Sequence, residues 1–522
     1  MSGRLTRLAA IVRVDFLVRF RRVSTVVVFL LLSAFAYVWI PSPATGRALI
    51  QINGQRAIYN SGAIGMGTAS LGMIFVGLFG FYVISSAIGK DVVSRCGLVA
   101  ASTPMRSGEY LFGKFLGNVL FLTTFLGGFM LSSMAMLLVR GEARIEPLVF
   151  LQQYLLLTPA AVVFVSAVAI LFESIRFLSG KLGDVIYFFL WMAGVGLVVS
   201  NEAGHHGINW ARYFDFTGFG FMIDQLTRTL HTDSVAIGAS PFDPKKAPIV
   251  FSGLTLTREW LLPRLFSTLA PLLLLPLAAL CFHRFDPART KQTAEKSQRN
   301  WIGRVQNLFK PASRRIVAQL LRPARRGSLV AAMWSDAVLT LTLYPLVLIA
   351  FVVITIAATS APLAGLMPGV FATLAIVVSD VATRDARANT IAMLRATPRL
   401  RENFVWWKLG STALLSLFLC AGPLARVATH GAQPLGALLV GIAFVAATAT
   451  SLGVITVNAK TFIVVFLSFW YLVVNDRGAN PWLDFAGFYG SGSTRTMLTY
   501  AVLSVVALVL AEGRHRMRLA AA

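Results

Sequence analysis

The sequence predicts an all-α polytopic membrane protein with about 12 transmembrane helices in two pseudo-symmetric six-helix halves. Three observations carry that expectation. The 522-residue chain is 56% apolar and 13% charged, with a mean hydropathy of +0.71, far from the balance of a water-soluble domain. About twelve stretches supply the roughly 20 mostly apolar residues needed to cross about 30 Å of hydrocarbon. One charged segment is written twice: Lys90-Asp91, Thr103-Pro104 and Lys114 recur at identical spacings as Arg384-Asp385, Thr397-Pro398 and Lys408.

Taken in order, residues 4–22 place Arg4, Arg7, Asp15, Arg19 and Arg22 at three- or four-residue steps or multiples of them. Leu8, Val12, Phe16 and Phe20 fall on other positions. This spacing suits an amphipathic helix lying in the cytoplasmic interface, and equally a basic topogenic tail. Spans are expected at 24–40, 63–88, 111–139, 147–173, 183–200 and 259–282, completing a first half over 1–282. A basic linker, 283–333, carries Pro287, Pro311 and Pro323 without an apolar period long enough for a core, with an interfacial helix expected around 301–321. It returns the chain to its starting side. The second half, 334–522, then offers spans at 337–358, 361–380, 403–424, 433–454, 459–475 and 495–512. Its orientation equals that of the first, so the repeats are parallel rather than inverted. The apolar stretch after the basic start runs into Trp39-Ile40-Pro41 without a small-residue cleavage site, so the first span is expected to stay in the membrane.

The net charge of +25 is explained by topology. Arginines gather before the first span, at Arg314, Arg315, Arg322, Arg325 and Arg326 of the linker, in the 384–401 loop, and at Arg514, Arg516 and Arg518. All fall on one side of alternating spans, which puts both termini in the cytoplasm. Nucleic acid is therefore not an expected partner; the lipid bilayer is. The basic composition and the lack of an organelle signal fit a bacterial inner membrane. Cys96, Cys281 and Cys420 have no paired spacing, so no disulfide framework or metal knuckle is indicated. His205, His206, His231, Glu202 and Asp233 match no metal-site spacing and read as a solvated outer loop. No G-x-x-x-x-G-K-[ST] occurs, and no catalytic triad or carboxylate pair can be assembled. The chain is expected to be no enzyme and to hold no cofactor of its own.

In each copy of the repeat, a Lys/Arg-Asp pair closes a span, a short helix follows, and Thr-Pro stops it, because proline disfavours helix at itself and before itself. Lys90, Asp91, Thr103, Pro104, Arg106 and Gly113-Lys114 resemble the first cytoplasmic loop of type-2 ABC exporter permeases. The resemblance extends to the layout of both halves. It implies an interfacial N-terminal helix, six spans per half, and loops at 89–106 and 384–401 that dock on a separate ABC ATPase subunit in two copies, with ATP and Mg in that partner. Coupling residues would be Lys90, Asp91, Thr103, Pro104 and Arg106, and in the second copy Arg384, Asp385, Thr397, Pro398 and Arg401. The second copy departs in having Arg384 for Lys90 and Ser411 for Gly117.

A second echo, Asp215, Phe216, Gly218 and Phe219, recurs as Asp484, Phe485, Gly487 and Phe488 just before the last span of each half. The resemblance implies a re-entrant outer segment there, over 215–230 and 484–494; an interfacial aromatic anchor is the plainer reading. Ionisable residues within spans are few, which weakens a proton relay. The expected function is export of an amphipathic or hydrophobic substrate. The alternatives are a secondary transporter with parallel repeats, or a membrane scaffold or enzyme using the outer loop 201–258.

Overall fold

The computed structural model describes residues 2–21, 36–37, 39–85, 87–175, 178–203, 209–230, 235–283, 285, 319–321, 328–343, 346–388, 390–478 and 480–520. The fold is all-α, with 77% of the described residues helical. Six described helices are long and apolar enough to cross a membrane, or up to eight if each of two bent pairs is one span. The chain divides into two compact units, Met1–Pro287 and Ala288–Ala522.

In the first unit, the Ser2–Phe20 helix lies along the Ser107–Arg140 helix. The Ser61–Val92 span is the most enclosed. Asn60 starts it by accepting the Ala63 amide at 2.8 Å, the usual way of satisfying an orphan helix donor. Glycines let neighbours approach: a Cβ at Gly72 would stand 2.8 Å from Leu126, and one at Gly77 would fall on the Trp191 ring. Pro147–Ser174 packs against it, and Lys181–Ala203 and Arg258–Cys281 are further apolar helices of the unit. Arg258–Cys281 leaves Leu262, Leu265, Leu269, Leu273 and Leu280 exposed among the described residues, a face suited to lipid.

Two segments far apart in the chain fold together, the second within the expected loop 201–258. Arg47–Ile52 (β1) pairs antiparallel with Gln55–Arg56 (β2) and with Val235–Pro241 (β3), in the order β2-β1-β3, with Ile50 opposite Ile237 and Ile52 opposite Val235. Leu49 and Ile50 of β1 press on Gly67. Residues 251–254 are stitched across the helix ends: Asn60 donates to the Phe251 carbonyl at 2.9 Å, and buried Gln153 accepts from the Leu254 amide at 2.7 Å. Arg56 forms a two-pronged pair with Glu142 at 2.6 and 2.7 Å. Hydrogen bonding from Arg56 holds the Glu142 carboxyl below its ordinary range.

In the second unit, Leu363–Val378, Ala432–Thr456 and Ala459–Asp476 surround a core that includes Phe371, Phe462 and Phe485. The Thr494–Ala520 helix packs along Ala432–Thr456 and exposes Leu498, Val502, Val505, Val509 and Leu510.

Several expected spans change shape. The expected 337–358 span is two helices, Leu329–Leu341 and Leu346–Ser360, bent by 91°. The expected 403–424 span bends by 66° between Phe404–Leu419 and Ala421–Ala428, beside Pro423, which cannot carry an interior helix hydrogen bond. The expected 183–200, 361–380 and 459–475 spans are the shorter apolar helices Gly183–Val199, Leu363–Val378 and Ala459–Val474. Most of 24–40 and of the 301–321 interfacial helix lies outside the described residues.

Candidate functional site

The repeated charged loops are held by two matching ionic clusters, one in each unit. In the first, Lys114 Nζ lies 2.9 Å from Asp15 Oδ1 and 2.9 Å from Asp91 Oδ2. Asp15 comes from the Ser2–Phe20 helix, Lys114 from Ser107–Arg140, and Asp91 from the Ala87–Val93 helix. Arg19 reaches Asp15 at 2.6 Å, and the Tyr110 hydroxyl donates to Asp91 at 2.5 Å. In the second, Lys408 Nζ lies 3.1 Å from Asp336 Oδ2 and 2.5 Å from Asp385 Oδ2, while Arg384 Nη2 lies 3.2 Å from Asp336 Oδ1. Each cluster thus sets two carboxylates against one lysine and one arginine and is close to neutral. That balance matters because a lone buried charge carries a desolvation penalty of several kcal/mol, about as large as its pairing recovers.

Small residues bring the helices close enough for these bonds. A Cβ at Gly113 would stand 2.9 Å from Ile11, and one at Gly117 would stand 3.0 Å from Asp15. In the second unit, Gly410 admits Met333 in the same way. Each lysine also lies over an aromatic ring at the matching position, Lys114 over Tyr110 at 5.7 Å and Lys408 over Phe404 at 5.6 Å. The second cluster is drier: the Lys408 side chain is fully buried, whereas that of Lys114 is 8% exposed.

The loops themselves share a stop. Thr103 Oγ1 donates to the Ala100 carbonyl at 2.7 Å, and Thr397 Oγ1 donates to the Leu394 carbonyl at 2.7 Å. Both threonines are extended, as a residue before proline requires. Thr103, Pro104, Arg106, Thr397 and Arg401 are exposed, whereas Lys90, Asp91, Arg384 and Asp385 are half-buried. For Pro398 the structure describes the backbone alone, at the start of the Pro398–Glu402 helix. The first loop has one further support. Glu173 accepts the Ala87, Ile88 and Gly89 amides at 2.9, 2.7 and 3.1 Å, placing a carboxylate on the positive end of the Ala87–Val93 helix.

The second echo forms a pair of tight turns around buried carboxylates. Asp215 accepts the Gly218 and Phe221 amides at 2.7 and 3.0 Å, and Gly218 takes a φ of +78°. Asp484 accepts the Phe488 amide at 2.6 Å, then those of Tyr489, Ser491 and Gly492, with Gly487 at φ +70°. Such a backbone conformation costs a side-chain-bearing residue about 1–2 kcal/mol. Phe485 and Phe488 are buried in the core, so they do not serve as interfacial anchors; Phe216 and Phe219 are half-buried. Buried Arg264 fastens the first turn, donating to the Asp215 carbonyl at 3.0 Å and to the Leu156 carbonyl at 2.7 Å, beside Pro159.

The structure therefore brings Asp91 to Lys114 and Asp385 to Lys408, and leaves Thr103, Pro104 and Thr397 exposed. Asp15, Asp336, Glu173 and Arg264 escaped the sequence reading as partners. The repeated lysine was the available signal, since a lysine inside an apolar stretch needs a counter-charge. Of the histidine-rich outer segment, His205, His206, His231 and Asp233 lie outside the described residues. Among the described residues, no group of three potential ligands could hold a metal ion. No protein family, curated protein sequence or solved structure matches the chain.

Proposed function

We propose that the chain is the permease subunit of a type-2 ABC exporter, two six-span halves fused in one chain, moving an amphipathic or hydrophobic substrate across a bacterial inner membrane. Energy comes from ATP and Mg bound by a separate ATPase, two copies of which dock on loops 89–106 and 384–401 from the cytoplasm. The observation that supports this reading best is the matched ionic cluster, Asp15-Lys114-Asp91 and Asp336-Lys408-Asp385, beneath each loop. A loop that transmits force must move as one body with its span, and a buried bridge to both the span and the neighbouring helix supplies that stiffness. Asp91 and Asp385 then act as anchors, and Thr103, Pro104, Arg106, Thr397 and Arg401 offer the docking surface. Nucleotide supplies the differential interaction that any shift between two states requires.

Pull-down of the tagged chain from native membranes in mild detergent, with mass spectrometry and an ATPase assay, tests the reading. A stoichiometric ATPase is expected, and Asp91→Arg with Asp385→Arg should reduce its recovery and ATP hydrolysis while the chain still inserts. A chain recovered alone, or an ATPase indifferent to both changes, would defeat it.

A further inference from the structure

The two units differ at one matching place. Next to the first loop, a cleft beside Ala100, Met105 and Tyr110 is filled from the same unit by Phe282 and Phe285. The Phe282 ring stacks on Tyr110 at 5.7 Å, Phe285 meets Tyr110 edge-on at 5.4 Å, and Gly97 leaves the space into which the Phe285 ring fits. Next to the second loop, the corresponding cleft is lined by Leu394, Leu400, Phe404, Val454 and Val457, and among the described residues no such aromatic pair enters it. Ile391 stands where the first repeat has Gly97. The Thr494–Ala520 helix runs past it and contributes His515 and Arg518 in place of the aromatic pair.

The chemistry of this second cleft is one-sided. Arg401, His515 and Arg518 line it, and no acidic side chain does so among the described residues. His515 Nε2 lies 2.8 Å from the Arg401 carbonyl, so that nitrogen carries the proton, and the ring stacks on Phe404 at 5.5 Å. Arg518 donates to the Val454 and Ile455 carbonyls at 2.7 and 2.8 Å. The Arg401 side chain is exposed and has no hydrogen-bond or ion-pair partner among the described residues. The cleft lies where the Phe404–Leu419 helix begins, where Ala432–Thr456 ends and near the last turn of Thr494–Ala520. Ends of apolar helices mark the headgroup level of a bilayer. The exposed Val502, Val505, Val509 and Leu510 form an apolar track along that last helix.

We propose that this cleft binds the phosphate headgroup of an anionic lipid from the leaflet facing the charged loops, its acyl chain lying along the Thr494–Ala520 helix. Basic pockets between spans take anionic headgroups because each arginine near the surface adds attraction to phosphate while the acyl chain stays in hydrocarbon. The lipid ties loop 384–401 to the last helix, as Phe282 and Phe285 tie the first loop by protein contacts alone. This inference rests on membrane embedding and not on the exporter reading.

The test uses the full chain in nanodiscs of phosphatidylcholine containing a minor fraction of phosphatidylglycerol, with retained lipid measured by native mass spectrometry after detergent release. Selective retention of phosphatidylglycerol is expected. Arg401→Gln should weaken retention about fivefold, and Ala386→Trp, which fills the cleft, should abolish it. Equal retention by wild type and both variants would overturn the proposal, as would equal retention of the two lipids. Displacement of the signal by inorganic phosphate alone would assign the cleft to a soluble anion and likewise overturn it.

Discussion

Lys408 is the side chain whose removal should matter most. It is fully buried between Asp336 and Asp385, so Lys408→Met leaves two carboxylates facing each other with Arg384 as the remaining counter-charge. Breaking a buried pair from one side costs about 3–5 kcal/mol, because the orphaned charge cannot recover its hydration. Lys114→Met should cost less, since its cluster is wetter and Arg19 already holds Asp15 at 2.6 Å. Thermal unfolding in detergent would show the larger loss for Lys408→Met, with partial rescue by Asp336→Asn and Asp385→Asn together; equal losses would contradict the difference in burial. The glycines of the two turns make a second residue-scale case. Gly218→Ala puts a side chain at φ +78° and 2.8 Å from Met73 Sδ, whereas Gly487→Ala at φ +70° meets Ala437 at 3.1 Å. Both should destabilise by about 1–2 kcal/mol from backbone strain, with Gly218→Ala the worse, and the same melting experiment reads the order. At this scale the sequence was half legible. Equal spacing exposed Asp91, Asp385, Lys114 and Lys408, but the bonds to Asp15 and Asp336 join residues 99 and 72 positions apart, a separation that local pattern cannot reach.

Elements follow the same logic of local against distant information. Long apolar helices such as Ser107–Arg140 and Pro147–Ser174 were readable because hydropathy is summed within the segment. Strands β1 and β3 were not, because a short strand next to another from a remote part of the chain has no local signature beyond a few apolar residues. The Leu329–Leu343 helix was divided between the expected linker 283–333 and the expected span 337–358, because the apolar run continues across its bend into Leu346–Ser360. Its bend from Leu346–Ser360 and its ion pairs make it the counterpart of the Ser2–Phe20 helix instead. The sheet is tied to the helix ends by Arg56 and Glu142, and that tie sets a pH dependence. Hydrogen bonding from Arg56 holds the Glu142 carboxyl below the ordinary value of 4.5. A depressed carboxylate contributes stability above its unfolded pKa and loses it as pH falls through its lower folded value. Protection of the 47–56 amides, taken relative to their intrinsic exchange rate at each pH, should therefore fall below about pH 4.5 and, at neutral pH, in Glu142→Gln. The effect should be small because the pair is partly solvated, its side chains 17% and 34% exposed. Unchanged protection in both conditions would remove the pair as a support for the sheet.

At the scale of the molecule, the question is whether each unit keeps its own loop. The units hold equivalent loops by unequal means. The first adds Glu173 on the amides of Ala87, Ile88 and Gly89, and the second relies on Arg384 reaching Asp336 by side chain and backbone, at 3.2 and 3.1 Å. Hydrogen bonds to a charged group contribute about 1.5–3 kcal/mol each, so loss of either support should speed local opening by about tenfold or more. Glu173→Gln should accelerate amide exchange across 87–106 and leave 384–402 unchanged. Arg384→Gln should do the reverse. Exchange measured on both segments in both variants separates the possibilities, because a rigid link between loops would make either change appear in both. Independent responses are what two self-contained clusters imply, and they suit a chain in which each loop receives its own copy of a partner. Shared responses would instead place the stiffness between the units and remove the clusters as the reason each loop moves with its span.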